Sequence, residues 1–313
     1  MLTHRRSTDD DPQFQKLATT PSPSRKTPNL IVIGAMKAST TTFYELITRH
    51  PNIWFSSEKE PHYFTSPNYG RPTDWEAYLR LFDSAPVSAK VIGEASTGYS
   101  KLPHFGNTPL RLQECLDNPR FIYLVRDPVQ RTVSNYQHAY ISGHYPAGTT
   151  LAGAIRRDPI LIDASHYARQ IRAYHEVFDE QALLVIPADQ MHADPTCVMR
   201  RVETFLNVPA FNSWETTLRK SNSKQALSGS LALQAIVPKS LLTLLRNVLS
   251  PRVRQRLKNL AQSTPPLPPV TDADRQLVFE LVANDLQDLL TIMGNELSPW
   301  IASWPSIQRL GER

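Results

Sequence analysis

A chain of 313 residues with 41% hydrophobic side chains can bury a full core, and its size fits one elaborated α/β domain. Its 34 basic residues stand against 29 acidic ones, a net charge of +5 that favours anionic ligands but excludes the dense basic coat of a nucleic-acid-binding protein. The two cysteines, Cys115 and Cys197, exclude a disulfide-stapled scaffold, and no Cys/His cluster has zinc-ligand spacing, so no metal is expected.

Residues 1–28 are polar, carry the Asp9-Asp10-Asp11 run and show no periodicity, which predicts a disordered leader ahead of a domain over 29–313. No apolar segment follows Met1 to Arg6, and no run is long enough to span a bilayer without charge or proline, so a soluble, cytoplasmic protein in a reducing compartment is expected. Leu30 to Ile33 is an unbroken apolar run of the kind that forms a central parallel strand covered on both faces. Ile53 to Phe55, Lys90 to Gly93, Phe121 to Val125 and Ala182 to Ile186 read as further strands. Between them, Thr42 to Thr48, Trp75 to Phe82, Pro109 to Cys115 and Arg169 to Val177 read as helices, so the pattern predicts a parallel sheet with helices on both faces. Past Glu215 no acidic residue occurs until Asp272, while Lys and Arg accumulate beside an apolar stretch. Residues 225–269 are therefore read as a basic, partly amphipathic insert, either a helical cap on the sheet or a peripheral membrane contact. A last helix is expected over Asp272 to Met293.

Two strand-to-helix junctions ask for an anion. The first carries Gly34 and then Lys37-Ala38-Ser39-Thr40-Thr41; the second carries Arg126-Asp127-Pro128 and, eight residues after the arginine, Ser134. Each places backbone amides and cationic or hydroxyl side chains at a helix start, where anions bind. Two such loops suggest one nucleotide with two separated phosphate groups. Lys37 does not stand where the triphosphatase P-loop needs its lysine. Asp127 and Pro128 also form an ordinary helix entry, cap followed by first-turn proline, and that entry builds the helix start which binds the phosphate.

Four segments in order, Gly34-Ala-Met-Lys-Ala-Ser-Thr-Thr-Thr-Phe, Glu60-Pro-His-Tyr-Phe, Gly93-Glu-Ala-Ser-Thr-Gly-Tyr and Leu124-Val-Arg-Asp-Pro-Val-Gln-Arg-Thr-Val-Ser-Asn-Tyr, resemble the motif set of the heparan-sulfate-type sulfotransferases and their bacterial relatives. The resemblance implies a P-loop-NTPase-like three-layer α/β fold and transfer of a sulfuryl group from 3'-phosphoadenylyl sulfate to an acceptor hydroxyl, on a carbohydrate, a glycolipid or a small metabolite. It assigns Lys37, Ser39, Thr40 and Thr41 to the 5'-phosphosulfate, Arg126 and Ser134 to the 3'-phosphate, Glu60 to the catalytic base, and Lys224 to a loop over the nucleotide. His62, two residues beyond Glu60, would orient it or the acceptor.

The sequence also departs from the family: Ser39 stands where a glycine is usual, and Ala95 where the animal enzymes have a lysine. For the acceptor, Tyr136, His138, Tyr140, His144 and Tyr145 cluster after the second loop, with Tyr99, Lys101 and His104 as further candidates; buried packing is the alternative reading of the tyrosines. Two rival functions stand beside sulfuryl transfer. One is a magnesium-dependent nucleotide kinase that would use Glu94 as metal ligand and leave Arg126 with Ser134 unexplained. The other is a non-catalytic module that binds anions or membrane surfaces through the basic insert.

Overall fold

The computed structural model describes residues 25–212, 214, 266–294 and 299–311. The expected leader over 1–24, Lys224 and the insert over 225–265 lie outside the described residues. Residues 25–28 are in contact with the domain: Arg25 pairs with Glu76 and Lys26 donates to the Ala85 carbonyl.

Five strands form one parallel sheet: β1 (Leu30–Gly34), β2 (Ile53–Phe55), β3 (Val91–Ala95), β4 (Arg120–Val125) and β5 (Leu183–Pro187), in the order β2-β3-β1-β4-β5. β1 is buried throughout and pairs with β3 on one side and β4 on the other, so it has no solvent face and no need of polar alternation. From β1 the chain crosses to one side of the sheet to reach β2, and from β4 it crosses to the other side to reach β5. Right-handed crossovers in opposite directions put their helices on opposite faces and open a crevice at the carboxyl ends of β1 and β4. The β1–β4 register shifts between Val32 and Gly34, so β1 leaves the ladder as it enters its loop.

Among the described residues the helices are α1 (Thr40–Ile47), α2 (Pro72–Arg80), α3 (Thr108–Cys115), α4 (Pro128–Ile141), α5 (Leu151–Arg157), α6 (Ile160–Asp163), α7 (Tyr167–His175), α8 (Ala188–Ala193), α9 (Pro195–Leu206) and α10 (Asp272–Met293), followed by the short α11 (Pro299–Ala302) and α12 (Pro305–Leu310). α2 opens at Pro72, three residues before the predicted start, because a proline is tolerated in the first turn, where its missing N–H has no partner to lose. α7 opens two residues before its predicted start because Asp285 of α10 accepts from the Ala168 and Arg169 amides at 3.0 Å. That cap comes from a residue more than a hundred positions away, so no local signal marks it. α10 has the predicted bounds, and its start carries a reciprocal capping box between Thr271 and Asp274.

Asp127 is the strongest joint of the crevice wall. Its carboxylate accepts from Gln130 N at 3.0 Å, capping α4, and from Ser306 N at 3.0 Å, tying α12 to the same corner. Tyr167 of α7 donates to the Arg126 carbonyl at 2.7 Å and accepts from the Arg126 amide at 3.3 Å, so the loop between β4 and α4 is fixed from both ends.

Candidate active site

The loop after β1 is built for close approach to a ligand. Gly34 has φ +139, and a Cβ there would lie 2.2 Å from the Ser100 hydroxyl oxygen, so only glycine fits. Ala35 N donates back to Leu124 O at 2.7 Å, which holds the loop against β4. Lys37 and Ser39 both adopt the left-handed conformation, with φ 70 and φ 65. For residues that carry a Cβ this costs about 1–2 kcal/mol each, and the strain is held by the surroundings rather than by propensity. One such restraint lies beneath the turn, where the buried Arg131 donates to Met36 O at 3.3 Å.

Ser39 is the N-cap residue of α1, yet its side chain makes no capping bond, so the first amides of that helix keep their donors for an external acceptor. Its hydroxyl lies instead 2.7 Å from Nε2 of His192 on α8. Thr40 is buried and Thr41 exposed. Lys59 Nζ donates to Thr41 Oγ1 at 2.8 Å and so ties this turn to the loop that carries Glu60. Neither His192 nor Lys59 was anticipated from sequence, since each contact depends on how separate elements dock.

The second loop faces the first. Burial lowers the proton affinity of Lys37, and the positive charge of Arg126 lowers it further, so the two cations share one small region. Lys37 in turn, after burial, lowers the proton affinity of His138 on α4. Arg126 Nη2 donates to Gln130 Oε1 at 3.3 Å, a neutral partner, and among the described residues no carboxylate pairs with the guanidinium. Ser134 is half-buried on the same helix. Like charges that lie this close without a carboxylate between them are stabilised by an anion.

Glu60 and His62 stand on the third loop, both in the left-handed region, with φ 59 and φ 54. Glu60 N donates to Ala95 O at 2.9 Å, and His62 N donates to Ser96 Oγ at 3.2 Å, so the loop is clamped to the end of β3. Glu60 Oε2 accepts from Thr97 Oγ1 at 3.0 Å and lies 3.2 Å from His62 Nε2. Burial pushes the Glu60 carboxyl up, but the hydrogen bonds from His62 and Thr97, with the charges of His62 and Lys59, hold it below its ordinary value. It is therefore an ionised acceptor at neutral pH. Lys101 follows on the next turn; burial lowers its proton affinity, opposed by the negative charges of Glu60 and Asp158 and aided by Arg131. Gly98 presses on this site: a Cβ there would lie 2.8 Å from His62 Nδ1. Gly98→Ala is expected to push the imidazole off Glu60 and lower turnover at least about tenfold with little change in melting temperature. Unchanged turnover would show that the His62 position is immaterial.

The tyrosines predicted as acceptor candidates are packed inward. Tyr136 donates to Thr149 O at 2.7 Å, Tyr140 to Pro266 O at 3.2 Å and Tyr145 to Asp158 Oδ2 at 3.2 Å, while Tyr99 is fully buried. His104 lies 3.0 Å from Asp163. His144 stays exposed, 3.5 Å from Asp158. Of the acceptor candidates, His104 and His144 are exposed and Lys101 and His138 half-buried, and the phenols serve the wall behind them.

Glu94, on β3, is fully buried and no group meets either oxygen at full hydrogen-bond geometry. Burial pushes its pKa up to about 8, which the nearby Tyr99 and Tyr78 hydroxyls oppose without cancelling. It is a neutral acid at pH 7 rather than the exposed carboxylate a magnesium ion needs. Among the described residues no three His, Cys, Asp or Glu side chains converge as a metal cluster.

The parallel sheet, the glycine-opened turn after β1 and the cationic loop after β4 define a P-loop-NTPase-like α/β protein. The family profile of the sulfotransferase domain matches residues 27–239, and the chain belongs to that family. It is 40% identical over 111 residues to a membrane-associated sulfotransferase, kil1, of Dictyostelium discoideum, covering 35% of this chain and 22% of that one. It is 28% identical over 223 residues to the human bifunctional heparan sulfate N-deacetylase/N-sulfotransferase 3, covering 65% of this chain and 25% of that one. The chain therefore spans about a quarter of the length of these relatives. A sulfotransferase from Alicyclobacillus acidocaldarius shares the fold, with a TM-score of 0.60 at 20% identity over 88% of this chain and 99% of that one.

Proposed function

We propose that the protein transfers a sulfuryl group from 3'-phosphoadenylyl sulfate to an acceptor hydroxyl, on a carbohydrate, a glycolipid or a small metabolite, and releases adenosine 3',5'-bisphosphate. The observation that carries this reading is the pair of facing cationic loops. Lys37 and the uncapped amides of α1 would hold the 5'-phosphosulfate, and Arg126 with Ser134 the 3'-phosphate. Family membership supports the donor, and the heparan sulfate relative supports a sugar acceptor.

Glu60 would take the proton of the acceptor hydroxyl as its oxygen bonds to sulfur. The bond from sulfur to the bridging oxygen breaks in line, and Lys37 offsets the charge left on that oxygen. His62 and Thr97 orient the Glu60 carboxylate through Oε2 and leave Oε1 for the acceptor. The kinase reading fares less well, because its metal ligand would be the buried, protonated Glu94 and it gives Arg126 and Ser134 no role. A reducing, cytoplasmic setting and a peripheral membrane contact through the basic stretch 225–269 remain part of this proposal, the first supported by the free thiols of Cys115 and Cys197 and the second by charge.

The test is calorimetric titration with adenosine 3',5'-bisphosphate and with ADP, both in chelator. Tight binding of the bisphosphate, weakened about 10- to 100-fold in Arg126→Ala by loss of a charged hydrogen-bonding partner, is the expected result. Equal affinity for ADP, or binding that requires magnesium, would overturn the reading.

A further inference from the structure

We infer that His192 is a positioning residue for the sulfuryl donor, acting through Ser39; the inference rests on the donor reading above. Ser39 occupies a backbone conformation that glycine adopts without strain, at the helix start that faces the ligand. In this left-handed backbone, unlike the extended N-cap, the side chain does not cap α1. The hydroxyl lies 2.7 Å from His192 Nε2, across 153 residues of chain. The contact joins the turn after β1 to the helix after β5, two strands away at the edge of the sheet.

The chemistry of the ligand fixes the direction of that bond. Phosphate and sulfate oxygens only accept, so Ser39 helps to bind them only by donating its O–H outward. Its oxygen must then accept from His192, which requires the proton on Nε2, in the neutral tautomer or the imidazolium. In that arrangement His192 Nε2–H donates to Ser39 Oγ, and Ser39 O–H donates to the 5'-phosphosulfate. The hydroxyl replaces the contact that a glycine amide gives by close approach, and the imidazole holds it at the required angle. Without His192 the hydroxyl rotates freely and can turn back onto the α1 amides, where it competes with the anion.

Titrations with adenosine 3',5'-bisphosphate and adenosine 3'-monophosphate separate the two ends of the donor, because the second ligand lacks the 5' group. His192→Ala is expected to weaken the bisphosphate about fivefold or more and to leave the 3'-monophosphate unchanged. His192→Gln, whose amide Nε2–H reaches about as far as the imidazole Nε2–H, should restore most of the loss. In a Ser39→Gly background His192→Ala should have no further effect, since the residue it positions is gone. The inference is overturned if His192→Ala binds the bisphosphate like the unsubstituted protein, if it weakens both ligands alike, if His192→Gln fails to rescue a folded protein, or if the loss persists in Ser39→Gly. Failure of the unsubstituted protein to bind the bisphosphate at all would overturn the donor reading itself, an outcome distinct from these four.

Discussion

Glu60→Gln is expected to lower sulfuryl turnover by about a hundred- to ten-thousand-fold, while affinity for adenosine 3',5'-bisphosphate stays within about twofold. The amide is isosteric and its oxygen can still accept from Thr97, so the clamp of this loop on Ala95 and Ser96 survives. What is lost is the proton acceptor. The proposed nucleotide contacts lie on the other two loops, which explains the expected separation of turnover from binding. The pH profile adds a second check. His62 and Thr97 overcome the effect of burial and hold Glu60 below its ordinary value, so the rate should fall only when pH drops beneath the usual carboxylate range. Single-turnover kinetics with a saturating acceptor would measure both. Retained turnover in the variant would move proton abstraction to His62, the other group within reach, and a normal acid limb would contradict the geometry around Oε2.

Glu94→Gln should make the protein more stable in alkaline solution and leave it unaffected in acid. Burial raises the Glu94 carboxyl from its ordinary 4.5 to about 8 in the folded protein, with Tyr99 and Tyr78 opposing. Between those values the folded chain holds a proton that the unfolded chain has released, so this group's contribution falls as pH rises through the window and levels off above it. Glutamine keeps the shape and the neutral state but has no proton to lose. The variant's advantage is therefore absent near pH 4.5 and grows to a few kcal/mol, on the order of 4, by pH 8. Thermal melts of both proteins from pH 5 to pH 8 measure it. Parallel curves across that range would show that the carboxyl ionises in place, stabilised beyond what the neighbouring Tyr99 and Tyr78 hydroxyls give.

Where a segment's environment is nearly uniform, its sequence is readable. β1 and β4 are buried on both faces, and an unbroken apolar run is what such strands require. α10 is readable for a different reason, since its capping box and spacing are both local. The same holds for the two anion loops, because a glycine, a cation and hydroxyls at a strand-to-helix junction have few other uses. The tyrosines after the second loop were harder: an aromatic with a polar tip suits a ligand cleft and a core equally, and only the Thr149, Pro266 and Asp158 partners assign them to the wall.

The sequence by itself determined the sheet-forming segments and the motif order that leads to the family. The tertiary structure decided which groups act on one another. The strand order brings Arg126 up to Lys37, docks His192 on Ser39, sets Lys59 against Thr41 and lets Asp285 open α7. Those pairings join residues up to 153 positions apart, and their energies depend on distance and burial. Neither quantity is defined until the strands have taken their places.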